Sequence, residues 1–181
     1  MNRLTRIRRL HFVALAAAVT ACSEPTAPSF SSAAGTNDAP AVAAISSGLV
    51  ECPTNESQST LALVGVGGGT VSLGGTQIII PQGALPLFGL SLISLRIPAS
   101  QYVEIDVRVN GLVHFVFRQP VTVVIDYVRC TRSDIDRTPL TVWYIDPVTK
   151  AFIADMGGVD DKVARTVTFT TDHFSGYAVA Q

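Results

Sequence analysis

Tyr102-Val103-Glu104-Ile105-Asp106-Val107-Arg108-Val109-Asn110-Gly111 decides the fold class. Successive side chains of an extended strand point to opposite faces, so Val103, Ile105, Val107 and Val109 share one side. Glu104, Asp106, Arg108 and Asn110 share the other. A strand with one apolar and one polar face belongs to an antiparallel sheet that buries only one side. Asn110-Gly111 tolerates the positive φ angles of a two-residue hairpin turn, so residues 112–117 are expected to return antiparallel beside the first strand.

The same texture continues on both sides of this hairpin. Further strands are predicted at 121–128 after Pro120, at 140–145, at 150–154 and at 163–171. In the last of these Val167 and Phe169 face inward, with Thr166, Thr168 and Thr170 outward. Asp146-Pro147-Val148-Thr149 reads as a hairpin turn, because Asp can bond its own backbone two residues on and Pro presets the turn. Gly67-Gly68-Gly69 reads as a bend between strands, and Pro81-Gln82-Gly83 and Met156-Gly157-Gly158 punctuate the rest. Trp143, alternating with Tyr144, is expected to anchor the core. About nine or ten short strands and no convincing helix predict an all-β domain, a single antiparallel β-sandwich over residues 58–181. That length supports one core and not two.

The N-terminus has a different character. Arg3, Arg6, Arg8 and Arg9 precede an apolar stretch, residues 10–19, that leads into small residues and Cys22. A basic head, a short apolar middle and small residues at the end describe an export signal, residues 1–21. The apolar stretch is about half of the roughly 20 residues a spanning helix needs, so it is no permanent anchor. Val19-Thr20-Ala21-Cys22 resembles the lipobox of bacterial lipoproteins, in which the cysteine sulfur is acylated before cleavage. The resemblance implies that Cys22 holds the chain to the lipid bilayer, since two or more acyl chains anchor stably where one does not. Ser23, in place of Asp, points by the same resemblance to the outer membrane of the cell envelope. Ordinary secretion with an unmodified Cys22 is the alternative. Residues 22–57, rich in Ser, Ala and Pro in their first two thirds, are read as a flexible tether, because such composition buries too little apolar surface to offset its ordering entropy.

Loss of residues 1–21 removes four of the 13 basic residues and none of the 14 acidic ones, leaving a net charge near −5. That sign excludes a nucleic-acid partner, whose phosphates call for clustered Lys and Arg. With Cys22 assigned to lipid, Cys52 and Cys130 remain as an even pair in an oxidising compartment, and a disulfide between them is expected. Closing a loop of about 80 residues would stabilise the fold by roughly 4 kcal/mol in the chain-entropy model. Two free thiols are the alternative.

Signatures of catalysis are sparse. No nucleophile elbow, phosphate-cradling glycine loop or zinc-protease His pair occurs, and no cofactor is implied. His114 falls in a predicted strand among Val113, Phe115 and Val116 and is read as structural. Asp134 and Asp136 share one loop, and Asp155, Asp160 and Asp161 another, without the spacing of a calcium loop, so no metal is assigned and the clusters are read as solvated turns.

Two motifs bracket the predicted sandwich. Gly68-Gly69-Thr70-Val71, with Gly75 and Ile78-Ile79-Ile80-Pro81-Gln82-Gly83-Ala84-Leu85, looks like the opening of a ZU-five domain, the β-sandwich of zonula-occludens proteins, netrin receptors and ankyrins. Asp172-His173-Phe174-Ser175-Gly176-Tyr177-Ala178-Val179 resembles its closing motif. Some animal members of that superfamily cut their own backbone within a His-Phe-Ser sequence. The resemblance therefore implies a candidate bond at Phe174–Ser175, with Ser175 attacking the Phe174 carbonyl and His173 accepting the serine proton. The plainer reading makes Phe174 a core plug and His173 and Ser175 turn residues, because self-cleavage needs strain stored by the whole fold. The expectation is a membrane-tethered, non-catalytic envelope module that contacts another envelope protein or builds surface structure. Self-cleavage and glycan binding are the alternatives, the latter calling for exposed aromatic platforms.

Overall fold

The computed structural model describes residues 48–131 and 133–181. The expected signal peptide, Cys22 and the part of the expected tether up to residue 47 lie outside them. Eleven strands make up the domain: β1 (Gln58–Val64), β2 (Gly69–Leu73), β3 (Thr76–Ile80), β4 (Ser91–Ile97), β5 (Glu104–Val109), β6 (Phe115–Asp126), β7 (Thr141–Ile145), β8 (Phe152–Gly157), β9 (Val159–Asp161), β10 (Thr166–Phe174) and β11 (Gly176–Ala180). No helix occurs among the described residues. The strands form two antiparallel sheets, β1-β4-β5-β11-β7-β8 and β2-β3-β6-β10-β9, so the all-β sandwich expected from the sequence is the observed architecture.

Alternation builds the core between the sheets. Ile93, Leu95, Ile105, Val107 and Val109 point in from the first sheet, and Ile78, Val121, Val123, Ile125, Val167 and Phe169 from the second. Each buried side chain of this size contributes roughly 1.5–3 kcal/mol relative to exposure. Val167 and Phe169 are inward as predicted. Glu104 departs from its polar face by being buried, which Lys150 offsets with an ion pair at 2.5 Å.

The turn at Asn110-Gly111 has the expected backbone, with φ of 53° and 81°, and Leu112 bridges back to Val109. The return strand is where the sequence reading fails. After that single bridge the chain leaves for the other sheet, where β6 pairs with β3 and β10 instead of with β5. The side of β5 away from β4 is taken by β11, the last strand in the sequence. β6 also runs through Pro120, which was expected to precede a strand. The proline is accommodated because residues 117–120 bulge opposite Asp172, where the register slips between Thr171 and His173. A residue with no N–H cannot join a regular ladder.

The turn at Asp146 forms as predicted, its carboxylate accepting from the N–H groups of Val148 (2.9 Å) and Thr149 (2.7 Å). β8 starts at Phe152, two residues later than expected, because Lys150 completes the turn at φ 61°. Trp143 is not a core anchor. It lies on the outer face of the first sheet, half-buried against Phe152 at 4.8 Å, in a satellite cluster with Leu49, Ile145, Ala178 and Ala180. The alternation places its neighbour Val142, fully buried, in the core instead.

Residues 48–57, counted in the tether by composition, are fastened to the sandwich. Leu49 bridges Ala180, the Val50 N–H donates to Val179 (2.9 Å), and the Cys52 N–H donates to Gln101 (2.7 Å). Cys52 and Cys130 sit at disulfide distance with Cα atoms 4.8 Å apart, as expected. The Arg129 guanidinium donates to the carbonyls of Pro53 and Tyr102 beside it.

Candidate functional site

The His173-Phe174-Ser175 corner is the point where the chain crosses from one sheet to the other: β10 ends at Phe174 in the second sheet and β11 starts at Gly176 in the first. Phe174 is fully buried with its ring edge-on to Phe117 at 4.5 Å. The Ser175 carbonyl accepts from Val107 N–H at 3.2 Å. His173 is surrounded by polar groups from both sheets. Its N–H donates to Thr171 Oγ1 (3.2 Å), and its carbonyl accepts from the Tyr177 hydroxyl. Its Nδ1 lies 3.0 Å from Asp172 Oδ1 and 3.4 Å from Thr171 Oγ1. The rings of His114 and Tyr144 each stand 5.4 Å from it. His114, expected in a strand, sits in the bend before β6 and is exposed.

The electrostatics of the corner follow from these contacts. The hydrogen bond to His173 holds the Asp172 carboxyl below the usual carboxylate range. Burial pushes the Tyr177 phenol well above its usual range, so its hydroxyl stays protonated and donates to the His173 carbonyl. No hydrogen bond joins His173 to Ser175 among the described residues; the imidazole is held by Asp172 and Thr171. Phe174 and Ser175 are not among the residues with positive φ, and their peptide bond is trans. The three residues of the candidate cleavage are adjacent in sequence but differ in place: His173 in a polar clamp, Phe174 in the core and Ser175 at the crossover between the sheets.

The acidic loops are likewise spent on structure. Asp160 accepts from the Tyr127 hydroxyl (2.7 Å) and Leu140 N–H (2.9 Å) and pairs with Lys162 (2.6 Å). Asp161 caps the turn at Val163 and Ala164, Asp155 accepts from Thr141 and Gly157, and Asp136 pairs with Arg165. A cleft of about 250 Å³ on the outer face of the first sheet has Arg108 paired with Asp106, Lys150 paired with Glu104, and Arg96, which donates to Ser57, on its walls.

What the sequence reading passed over is a surface defined by the absence of charge. Residues 57–95 contain no Asp, Glu, Lys, Arg or His, a signal visible in the sequence as soon as charge is tracked by position. In the fold this run supplies β1, β2, β3 and β4 as far as Leu95, with Arg96 following in the same strand, and β1 and β2 are the open edges of the two sheets on one side. Along the outer face of the first sheet, Leu61 and Leu63 of β1 are 64% and 65% exposed, and Leu92, paired with Leu63, is 39% exposed. The loop into β4 adds Leu87 and Leu90, and Phe88 at its tip is 92% exposed. Asn110 locks the start of β4 in place, its side chain accepting from Leu92 N–H and its own N–H donating to the Leu92 carbonyl, both at 2.8 Å.

Comparison with known proteins finds no family model that matches the chain and no curated protein that matches it.

Proposed function

We propose that this chain is a lipid-tethered, non-catalytic β-sandwich of the bacterial cell envelope, held at the bilayer through Cys22 and presenting a face for protein interaction. The observation that carries this reading is the uncharged side wall with its exposed leucines and Phe88. Soluble domains seldom leave contiguous apolar patches of several hundred Å² bare, and such patches mark sites of association. The two open edges of that wall also lack the charged residues, prolines and bulges with which sheet edges are ordinarily blunted. The tether fits this geometry, because Gly48 and Cys52 join the first sheet near Ala180 and Tyr102. The start of β4, with Phe88 beside it, lies at the opposite end, where Val64 and Val109 finish their strands. The apolar tip therefore points away from the end at which the chain enters.

The intact mass of the full chain, expressed in a bacterial host with its signal, tests the anchoring and the absence of self-cleavage together. The expected mass starts at an acylated Cys22 and ends at Gln181. A chain starting at an unmodified residue would overturn the lipid anchor. A chain lacking residues 175–181 after denaturation would replace this reading with self-cleavage at Phe174–Ser175. Denaturation is needed because β11 is hydrogen-bonded on both sides, to β5 and β7, and would stay in place when cut.

A further inference from the structure

We propose that the occupant of the uncharged wall is a second copy of this chain, its β1 pairing antiparallel with β1 of the first across a twofold axis, so that the two larger sheets run on as one. This deepens the interaction reading and rests on it. Three observations favour a copy over another partner. The first is charge. Each exported chain carries a net charge near −5, and in a twofold interface the same patch meets itself, so any charge on it faces its own kind. Residues 57–95 form the stretch of this surface that two like-charged copies can bring together without that repulsion.

The second is the edge itself. β1 reads Gln58-Ser59-Thr60-Leu61-Ala62-Leu63-Val64, with β4 on one side and no strand on the other. Its outward row of backbone N–H and C=O groups is complementary to an antiparallel copy of itself. Centred on Ala62, the pairing sets Leu61 of each strand across from Leu63 of the other, two apolar cross-strand pairs on one face. The third is area. Leu61, Leu63, Leu87, Phe88, Leu90 and Leu92 together expose on the order of the 800 Å² that one partner contributes to a standard stable interface. A bilayer surface fits less well. Anionic lipids call for a basic rim, and the nearest cations on this face are Arg96, which donates to Ser57, and Arg108, which is paired with Asp106 at 2.9 Å.

A photo-crosslinking residue at position 63 of the full chain, in the envelope of a bacterial host, tests the proposal. The expected product has twice the mass of the chain and yields peptides of this chain only. It should fall by at least about tenfold when Leu61 is replaced by Glu, since two carboxylates would then be buried without partners. The same probe at position 163, on the exposed turn between β9 and β10, should give no such product. A single cooperative thermal transition and an intact Cys52–Cys130 bond in Leu61→Glu would show that the fold survives. An adduct to a different protein would overturn the self-pairing while leaving the interaction module standing. An adduct to lipid alone, or none, would remove both at this face.

Discussion

The two side walls of the sandwich close the same core by different means. On one side the edges are β8 and β9, which carry Asp155, Asp160 and Asp161, and every one of these carboxylates holds a hydroxyl, an amide or a lysine of a neighbouring element. On the other side the edges are β1 and β2, where no charge occurs and leucines stand in solvent. The braces that tie the described domain together, Cys52–Cys130, Glu104–Lys150, Asp136–Arg165 and Asp160–Lys162, all lie outside residues 57–95. One wall is therefore stabilised by specific polar pairs that need their partners, and the other by burial and backbone geometry that need only shape. Charged edges also repel stray strands, and neutral ones invite them.

The largest effect that would sharpen this contrast is removal of the covalent brace. Cys52→Ala together with Cys130→Ala should lower stability by about 4 kcal/mol, read from the denaturant midpoint. A loss under 1 kcal/mol would show that the Arg129 clamp alone holds the N-terminal segment. Next comes Lys150→Met, which strands the buried Glu104 carboxylate and should cost about 3 kcal/mol; little change would mean that water or Arg129 takes over. At the border of the two regions, Asn110→Ala removes an acceptor for Leu92 N–H and puts a methyl group at φ 53°, with an expected loss of about 1–2 kcal/mol. An unchanged midpoint there would show that β4 needs no lock.

Acid should loosen the Asp146 turn and the His173 corner before the uncharged wall. Backbone N–H groups of Thr149 and Val148 hold the Asp146 carboxyl below the usual 3.8, as the His173 bond does for Asp172. A depressed folded value means that the stabilisation is present above about pH 4 and is lost as the pH falls through it. Hydrogen exchange at pH 2 should thus rise first around the Asp146 turn and the His173 corner, with β1–β4 still protected. Uniform exchange would erase the distinction. Buried Tyr127 and Tyr177 have the opposite sign: raised above 10.0, they contribute below pH 10 and cease to as the pH climbs further. The smallest expected change, measured on the unpaired chain at high dilution, is Leu61→Ser, within about 0.5 kcal/mol, because there the side chain touches mainly solvent. A larger loss would mean that β1 is held by its outer face as well as its inner one.

Much of this molecule was legible before its fold was seen. Alternation in residues 103–110 fixed which side chains face the core, since the period of a strand is set by backbone geometry alone. The turns at Asn110, Asp146 and the Gly67–Gly69 bend were readable because positive φ and self-capping carboxylates are local chemistry. At Gly68, φ is 76° and a Cβ would meet the Ile80 carbonyl at 2.3 Å, so the close approach there leaves room for glycine only.

Other features depend on which strand lies beside which, and no local pattern records that. Nothing in residues 112–117 says that the chain abandons β5 after one bridge, because the competing partner, β11, comes more than sixty positions later. Trp143 could not be placed by alternation without knowing that Ala178 and Ala180 of β11 leave space over the outer face. The polar fastening of His173 needed Tyr177 and Thr171 brought together by the crossover at Ser175. The charge-free run was in the sequence throughout, yet it became a wall only when topology set β1 and β2 side by side as the open edges of both sheets. Composition and period therefore determined the fold class, the turns and the inward faces, because each depends on a few consecutive residues. The tertiary structure decided strand order, the fate of the buried Glu104 and the location of the bare face, because each depends on residues far apart along the chain.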